Sequence, residues 1–557
     1  MKKIFIVSLL IIGMLGVFSP PAMAASYDVC GKELSIEGFV RQEFAFGVSE
    51  DNRLKTNQSG LHSAYQMWYL DSDLWLTKDL EVRGILRMWG DLAYQLLKNN
   101  SRFEKYFYRS KHNLNWDTEW DQVLREFYIT YTTPKFFIRL GKQQVGWGET
   151  DGMRLMDCIN PLDIRRGPFY DTQGYEEVRI PKWLIRTEFF GGNFGRFYNT
   201  SLELIWNPGD IQVTGNLLPT EIVNAQQGGG AILPPDWLPT NATGVPVSSQ
   251  GSWGIWGIPV NFVPLPVKLV KKEPGSTLNH SEYGGRLKFS INNTNCTINF
   301  WKGFQADEVL DFQGIFPNAK KGGIFPPITG GSTTPVYLLM NRAYLRMMVA
   351  GFTLSRELDG VGPLFCQPAN PVLRVEALYD FQHPFNTGRN TATDFIKIKK
   401  YDQIKYVIGV DWPVRCGFIN PQKNIFLSGQ FIHIYTLHWR NGVDSPRPAP
   451  FYSWTYPMNQ FYSSLLVRTE YKNETIVPSA LLVWDHSNNS GWVKTAVGFK
   501  YGNHWRPEIG WLWIKKNTSI TQTNGFPPGT PRFRDDWKAF GTFEDRDEVY
   551  IRIQYQF

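Results

Sequence analysis

One stretch of the chain concentrates residue types that can do chemistry. Residues 141–166 hold four acids, three arginines, several glycines and one tryptophan. Aspartates and arginines in close succession can lock a loop or bind a charged ligand, and glycines permit the tight turns that such a loop needs. The candidate constriction or substrate-contact residues are Trp147, Glu149, Asp151, Arg154 and Asp157.

The same stretch is too long for a simple turn between strands. Its charges of both signs can neutralise one another when partly desolvated, where an unpaired charge would be costly. We therefore predict that residues 145–166 fold inward as a constriction or ligand-contact loop. The alternative is a solvent-exposed loop whose charges pair only with water.

No nucleophile signature of an enzyme is present, and the alternative is a barrel that carries a serine–histidine pair. The sequence contains neither Gly-x-Ser-x-Gly nor His-Glu-x-x-His. The five cysteines are widely scattered without Cys-x-x-Cys spacing, so neither a zinc knuckle nor attached haem is indicated. We expect no catalytic residue, no metal site and no cofactor.

The N-terminal residues have the three parts of a secretory signal. Lys2 and Lys3 are followed by an almost wholly apolar run and by Ala22-Met23-Ala24, which fits the small-x-small cleavage rule. A membrane anchor is the weaker alternative because the apolar run is short for a span. The pattern predicts a signal peptide over residues 1–24 and an exported mature chain over 25–557.

The last eleven residues alternate strictly in polarity. Val549, Ile551 and Ile553 share one parity, while Tyr550 and Arg552 share the other. Successive side chains of a strand point to opposite faces, so this strand has one apolar and one polar face. It resembles the closing strand of outer-membrane barrels, in which Tyr555 and Phe557 would form the assembly signal. An ordinary half-buried strand is the alternative.

About 18 alternating segments can be traced along the mature chain, separated by turn residues. The third of them is Leu80–Leu96 and the tenth is Leu339–Leu354. Short and long connections alternate between them, which is typical of outer-membrane barrels. Aromatic residues make up 15% of the chain, enough to furnish girdles at both membrane interfaces. The predicted fold is all-β: a transmembrane antiparallel outer-membrane β-barrel of about 16–18 strands with long extracellular loops.

Charged residues of the polar parity should then face the lumen, with cations in the majority. The alternative is that these charges pair across the wall and merely hydrate a plugged interior. The predicted lumen-facing residues are Arg286, Lys288, Arg374, Glu376, Arg468, Lys494 and Arg552.

The Gly-Lys-Gln-Gln-Val-x-Trp-Gly-Glu run beginning at Gly141 carries a family resemblance. With Leu124-Arg125-Glu126-Phe127-Tyr128 and Glu282-Tyr283-Gly284-Gly285-Arg286, it resembles an outer-membrane family filed as domain of unknown function 1302. The resemblance implies a barrel that moves hydrophobic or lipid-like molecules. It transfers no established catalytic residue.

The leading functional hypothesis is a channel or transporter of the bacterial outer membrane for a small solute, including a hydrophobic or lipid-like one. The rival is a non-conducting barrel that acts as a sheath or docking partner for periplasmic or surface proteins. Expected partners are outer-membrane lipid, the barrel-assembly machinery and a periplasmic transport partner. Export and a modest net charge of +7 argue against nucleic acid.

Overall fold

The computed structural model describes most of residues 25–557. The predicted signal segment lies outside the described residues, as do Asp151 and Arg154 and most of the long connection between residues 212 and 266. The described residues are 25–48, 50–51, 56–57, 60–97, 116–117, 120–150, 155–163, 175–211, 253–255, 258–260, 267–272, 274–306, 309–317, 336–387, 397–440, 457–487, 489–515 and 547–557.

Eighteen antiparallel strands form the wall of a closed barrel. They are β1 (Glu33–Gly47), β2 (Gly60–Thr77), β3 (Leu80–Asp91), β4 (Leu124–Thr132), β5 (Phe136–Gln143), β6 (Lys182–Phe194), β7 (Phe197–Asn207), β8 (Glu282–Ile291), β9 (Thr294–Phe304), β10 (Arg346–Glu357), β11 (Val372–Thr387), β12 (Lys397–Val414), β13 (Ile425–Thr436), β14 (Asn459–Arg468), β15 (Ile476–Asp485), β16 (Ser490–Phe499), β17 (Trp505–Ile514) and β18 (Glu548–Gln556).

Each strand pairs with its sequence neighbours, and β1 closes the barrel on β18. The closing register runs from Phe39 opposite Gln556 to Gly47 opposite Glu548. At its edge, Gly38 and Phe557 exchange two backbone hydrogen bonds of 2.9 Å. Closure gives every strand two partners, which a spanning sheet needs because lipid offers none. The predicted fold class is confirmed.

The two faces of the wall differ in chemistry. On β17 and β18 the outward side chains include Ile509, Trp511 and Ile551, which are between 42% and 47% exposed. The inward residues of β18 include the buried Tyr550 and the charged Arg552. The apolar side chains therefore cover the outside of the barrel, as expected of a lipid-facing wall.

The two ends of the barrel differ in their connections. One end, the short-turn end, carries turns such as residues 78–79, 195–196 and 292–293. The other, the long-loop end, carries long connections such as residues 208–281 and 305–345. Two connections at the short-turn end are longer, residues 358–371 and 415–424.

The third predicted segment, Leu80–Leu96, ends earlier than the alternation suggested. The strand stops at Asp91, whose Oδ1 accepts hydrogen bonds from the backbone N–H groups of Ala64 and Ala93. A short helix, Ala93–Leu96, follows. These two hydrogen bonds hold the turn at which the chain leaves the wall, although the apolar pattern continues.

The tenth predicted segment, Leu339–Leu354, is two strands. Its first part belongs to Val336–Ala343, which pairs with Val267–Lys272 and Val309–Pro317 in a separate three-stranded sheet. The wall strand β10 begins only at Arg346. Both parts read as strand in the sequence, so alternation alone could not separate them.

The remaining described elements are short. None of the helices in the described ranges is long and apolar enough to span a membrane. The helices are Ala93–Leu96, Trp120–Val123, Tyr175–Val178, Val361–Leu364 and the 3-10 turn Leu278–His280. Two short strands, Ala25–Asp28 and Trp116–Asp117, extend the sheet of the wall by pairing with β1 and β3. The strands outside this sheet are Glu50–Asp51, Thr56–Asn57, Trp253–Ile255, Ile258–Val260, Val267–Lys272, Val309–Pro317 and Val336–Ala343.

Candidate functional site

The connection between β5 and β6, residues 144–181, enters the barrel and is called the inward loop. Its described parts are residues 144–150, 155–163 and 175–181. Four of its apolar side chains, Val145, Trp147, Met156 and Ile159, are at most 1% exposed. They form one buried cluster with inward-facing wall residues, namely Leu184, Ile205, Trp301, Val349 and Leu378. The inner faces of β6 to β11 are therefore covered by the loop.

Trp147 is the centre of this cluster. Its ring meets the ring of Trp301 edge to face, with centroids 6.2 Å apart and planes at 88°. The guanidinium of Arg286 lies 5.8 Å from the centroid of the Trp147 ring. An edge-to-face pair of buried aromatic rings is worth about 0.5–1.5 kcal/mol beyond its burial. Trp147 thus fastens the loop to the wall.

The buried carboxylate of Glu376 on β11 holds the loop backbone. Its Oε1 accepts hydrogen bonds from the N–H groups of Glu149 and Thr150, at 2.6 and 2.8 Å. Its Oε2 accepts from the N–H groups of Leu155 and Met156, at 2.9 and 3.0 Å. Four N–H donors replace the water that this carboxylate loses on burial. The wall therefore supplies an anion around which the loop is wrapped.

Asp157 performs a similar task within the loop itself. Its Oδ1 accepts from the N–H groups of Trp147 and Gly148, and its Oδ2 is 2.5 Å from Nη2 of Arg179. Both side chains of that ion pair are at most 5% exposed. The pair joins the start of the loop to residues 175–181, which lead into β6 and are called the return segment.

The return segment contacts the opposite part of the wall. Both Nη atoms of Arg41 on β1 donate to the carboxylate of Glu177, at 2.7 and 2.8 Å. Arg87 on β3 donates to the backbone carbonyl of the same residue. Burial would raise the pKa of Glu177, but the Arg41 guanidinium holds it below its ordinary value. Glu177 is therefore ionised at neutral pH and fixed to two strands.

A cavity of about 610 Å³ remains between the loop and the rest of the wall. Its lining comes from β1 to β3, from β14 to the end of β18, and from Asp163, Glu177 and Val178 of the loop. The lining contains seven cations against four acids, a formal excess of three: Arg41, Arg87, Arg468, Lys494, Lys500, Arg506 and Arg552 against Glu43, Asp163, Glu177 and Glu508. The open part of the lumen is cationic.

Three of the five candidate constriction residues lie apart from this cavity. Trp147 and Asp157 hold the loop in place, and Glu149 contributes its backbone N–H to Glu376 and its carbonyl to Arg374. None of these three side chains lines the described cavity. The other two candidates, Asp151 and Arg154, lie outside the described residues.

The candidate lumen-facing residues divide between two environments. Arg286 pairs with Glu203 and Lys288 with Glu188, each at 2.7 Å, while Arg374 lies 2.5 Å from Asp411. With Glu376, these residues lie on or beside the wall that the loop covers. Arg468, Lys494 and Arg552 line the cavity instead.

Sequence reasoning missed Arg41, Arg87, Arg506 and Glu177. Arg41 shares its parity with Phe39 on β1, and Arg506 lies one residue inside β17, so neither belongs to a clean polar face. Glu177 belongs to a segment whose inward path no local pattern shows. Only the pairing of distant strands brings these residues together.

A serine–histidine pair lies on the outer face, where Ser463 Oγ and His486 Nε2 are 2.9 Å apart. Nucleophilic catalysis needs a third group that orients the histidine. In the described part of the chain, no hydrogen bond reaches Nδ1 of His486. The pair alone does not define an active site.

The comparisons with known proteins agree with the resemblance read from the sequence. The model of a family described as "Protein of unknown function (DUF1302)" matches residues 13–255, which confirms that resemblance over this part of the chain. No curated protein matches the chain.

Solved outer-membrane proteins match over nearly the whole chain, at low identity. OccAB3 of Acinetobacter baumannii is 8% identical with a TM-score of 0.41, covering 94% of this chain and 99% of that one. Wzi of Escherichia coli, titled a carbohydrate-binding β-barrel, is 9% identical with a TM-score of 0.39, and the match covers 93% of this chain and 84% of that one. An anion-selective porin from Comamonas acidovorans is 10% identical with a TM-score of 0.34, and the match covers 94% of this chain and 100% of that one.

Proposed function

We propose that this protein is a channel or transporter of the bacterial outer membrane for a small solute, including a hydrophobic or lipid-like one. One observation carries the proposal. The inward loop is fastened to the inner faces of β6 to β11, and a charged cavity of about 610 Å³ is left beside it. A loop that covers only part of the wall narrows a pathway and leaves the rest of the lumen as the route.

The outer face supports a place in a lipid bilayer. Large apolar side chains face outward around the barrel, among them Leu202, Ile298, Phe352, Ile408 and Ile551. A barrel of 18 strands encloses a lumen wide enough for a solute pathway, in contrast to a barrel of eight. Outer-membrane lipid is therefore the proposed surrounding of this wall.

The cavity lining suits a solute with mixed polarity. Phe39, Met67 and Trp89 present apolar surface beside Arg41, and Leu466 and Leu481 do so beside Lys494. A purely hydrophilic pore would not need these apolar side chains, and a purely apolar site would not need the cations. The proposed solute therefore has both an apolar and a polar part.

Two further partners belong to the proposal. The barrel-assembly machinery would recognise β18 with Tyr555 and Phe557. A periplasmic transport partner would deliver or receive solute at the short-turn end, close to where Lys500 and Arg506 line the cavity. We place cleavage of the signal peptide after residue 24.

The experiment is conductance of the purified barrel in a planar bilayer. Steady single-channel events are expected, and loosening the inward loop with Asp157→Ala should enlarge them, because this change removes one acceptor of Arg179 and the acceptor of two loop N–H groups. Glu37→Gln, at an exposed position, is the matched control. Absence of single-channel events in the parent barrel and in both variants would contradict the proposed channel.

One observation favours the rival function of a docking partner. The connections at residues 358–371 and 415–424 expose Leu364, Phe365 and Phe418, by 76%, 60% and 95%. Arg415 N–H donates to the Gln367 side chain, so the two connections form one surface. Recovery of a specific periplasmic protein with a silent barrel, lost on Phe418→Ser, would favour docking.

A further inference from the structure

Three cations lie in one row across the strands at the short-turn end of the cavity, with Gln554 between two of them. Gln554 on β18 pairs with Arg506 on β17 and with Arg41 on β1. Lys500 follows β16, and continuing the register of Gly498 with Glu508 places it opposite Arg506. Adjacent strands are about 4.8 Å apart. We call Arg41, Arg506 and Lys500 the cationic arc.

In the next row of the wall, one cation is paired with two carboxylates, whereas the wall positions of the arc include no carboxylate. In that row, Arg552 donates to Glu43 at 2.8 Å and to Glu508 at 3.0 Å. In the arc, Arg506 donates to the backbone carbonyls of Gly502, Trp505 and Asn503. Within the described ranges, neither Arg506 nor Lys500 has a salt bridge. The neighbouring Glu474 is bonded to Lys423 at 2.7 Å.

Arg87 adds a second, independent sign of a ligand. Arg87 is 9% exposed and lines the same cavity. Its Nε atom has no hydrogen-bond partner in the described structure. A buried donor without an acceptor is costly. That Nε atom is covered by protein, so an anion in the cavity reaches it only when the Arg87 side chain turns toward the lumen.

The loop already places one anion in this site. Glu177 reaches across the lumen, and its carboxylate accepts hydrogen bonds from both Nη atoms of Arg41. This is the bidentate geometry in which arginine binds carboxylates and phosphates. A ligand anion approaching Arg41 must therefore compete with Glu177.

Apolar surface continues from the arc into the cavity. Met67 and Trp89 follow Arg41 in register on β2 and β3. On the other side of the cavity, Leu481 on β15 pairs with Lys494 on β16. Lys494 is six residues before Lys500, which is about 20 Å along the strand at roughly 3.3 Å per residue. A cavity of about 610 Å³ is within the range of small-molecule sites.

We propose that the cationic arc and Arg87 bind the anionic head group of an amphiphile, a carboxylate or phosphate monoester, whose apolar chain lies along Met67 and Trp89. The bound head group replaces the Glu177 carboxylate on Arg41. This inference rests on the proposed function, since it names the class of solute that the channel carries.

Binding is tested by titration calorimetry on the full barrel in bilayer nanodiscs of phosphatidylcholine. The probes are dodecanoate, dodecyl phosphate, dodecanol, acetate and inorganic phosphate. Dodecanoate and dodecyl phosphate should bind; the neutral alcohol and the two small anions should bind much more weakly. Equal binding of dodecanol would show that the cations play no part. If acetate or inorganic phosphate binds as tightly as dodecanoate or dodecyl phosphate, the site is a simple anion site and the proposal of an amphiphilic ligand is wrong.

Variants then test the residues. Arg506→Gln combined with Lys500→Gln should weaken dodecanoate binding about tenfold or more, because charge-assisted hydrogen bonds are lost. Glu177→Gln should tighten it, because the internal competitor loses its charge. Lys78→Gln, in an exposed turn, is the control and should change nothing. Heat modifiability checks that the double variant is folded. If the folded double variant binds dodecanoate as tightly as the parent protein, the proposed binding site is wrong.

Conductance of the same preparations separates this inference from the function it rests on. Steady conductance without dodecanoate binding rejects the amphiphile and leaves the channel standing. Binding that depends on the arc in a barrel without conductance upholds the site and contradicts the channel. Binding together with reduced ion conductance on adding dodecanoate supports both.

Discussion

Glu376 accepts hydrogen bonds from both the backbone N–H and the side-chain hydroxyl of Thr150, at 2.8 Å each. Thr150 belongs to the inward loop and Glu376 to β11, so a single carboxylate of the wall binds the loop in two ways. Three further N–H groups converge on it. The position of the loop therefore depends on one buried charge.

Glu376→Ala should release the loop while the barrel remains folded. Each buried donor left without an acceptor costs about 1–3 kcal/mol, and the change removes the acceptor of five donors. We expect larger single-channel conductance and an unchanged heat-modifiable band. Glu37→Gln is the control. Parent-like conductance would show that the loop does not need this anchor.

Cys158 should report on the same movement. Burial, and then the Asp157 carboxylate, raise the pKa of this thiol above its ordinary value, so little reactive thiolate is present at neutral pH. In a variant that keeps Cys158 as its one cysteine, alkylation should be slow and should accelerate with Glu376→Ala. Mass spectrometry follows the rate. Equal rates in both proteins would mean that the loop stays in place.

The pairing of Glu177 with Arg41 predicts an acid-dependent conductance. Because the pKa of Glu177 is lowered, the contact is present at neutral pH and is lost only as pH falls through that lowered value. Conductance should stay constant from about pH 7 to about pH 5 and change below about pH 4, under the ordinary carboxyl range. In Glu177→Gln this change should disappear. An identical acid response in that variant would assign it to other groups.

Arginine at a lipid-facing position should destabilise the barrel more than arginine in the cavity. Ile551 is 42% exposed on the outer face, and Ala496 lines the cavity. Ile551→Arg should cost roughly 2–4 kcal/mol if its site is near mid-bilayer. Ala496→Arg should cost less because its charge reaches the lumen. Urea unfolding midpoints provide the measurement, and equal midpoints would refute the facing of these strands.

Gly38→Ala should weaken the closure of the barrel. A Cβ atom at Gly38 would lie 2.4 Å from the carbonyl oxygen of Tyr69 and 3.0 Å from the Phe557 ring. Overpacking of this kind costs about 1–3 kcal/mol. At Gly429 the same atom meets nothing within 4 Å, so Gly429→Ala is the matched control. Equal melting temperatures would show that the β1–β18 seam tolerates the methyl group.

The wall could be predicted from sequence because its rule is local. Each strand alternates with a period of two, and the connections alternate in length, so the strand number follows without any knowledge of contacts. The exceptions have tertiary causes. Leu378 breaks the polar face of β11 because the inward loop packs against it.

The candidate site was predictable only in part. The density of charges in residues 141–166 indicated a special loop, but its anchors lie far away in the chain. Glu376 is 226 residues from Thr150, and Arg41 is 136 residues from Glu177. No local pattern relates such positions, so the roles of these residues emerge only from the closed barrel.

The order in which the wall forms is constrained by where the loop is anchored. The loop lies between β5 and β6, yet it is held by Arg41 from the first strand and by Glu376 from the eleventh. The seam between β1 and β18 joins the two ends of the wall. The loop therefore completes its contacts only when the wall strands that anchor it hold their final positions. Formation of the wall and placement of the loop are coupled.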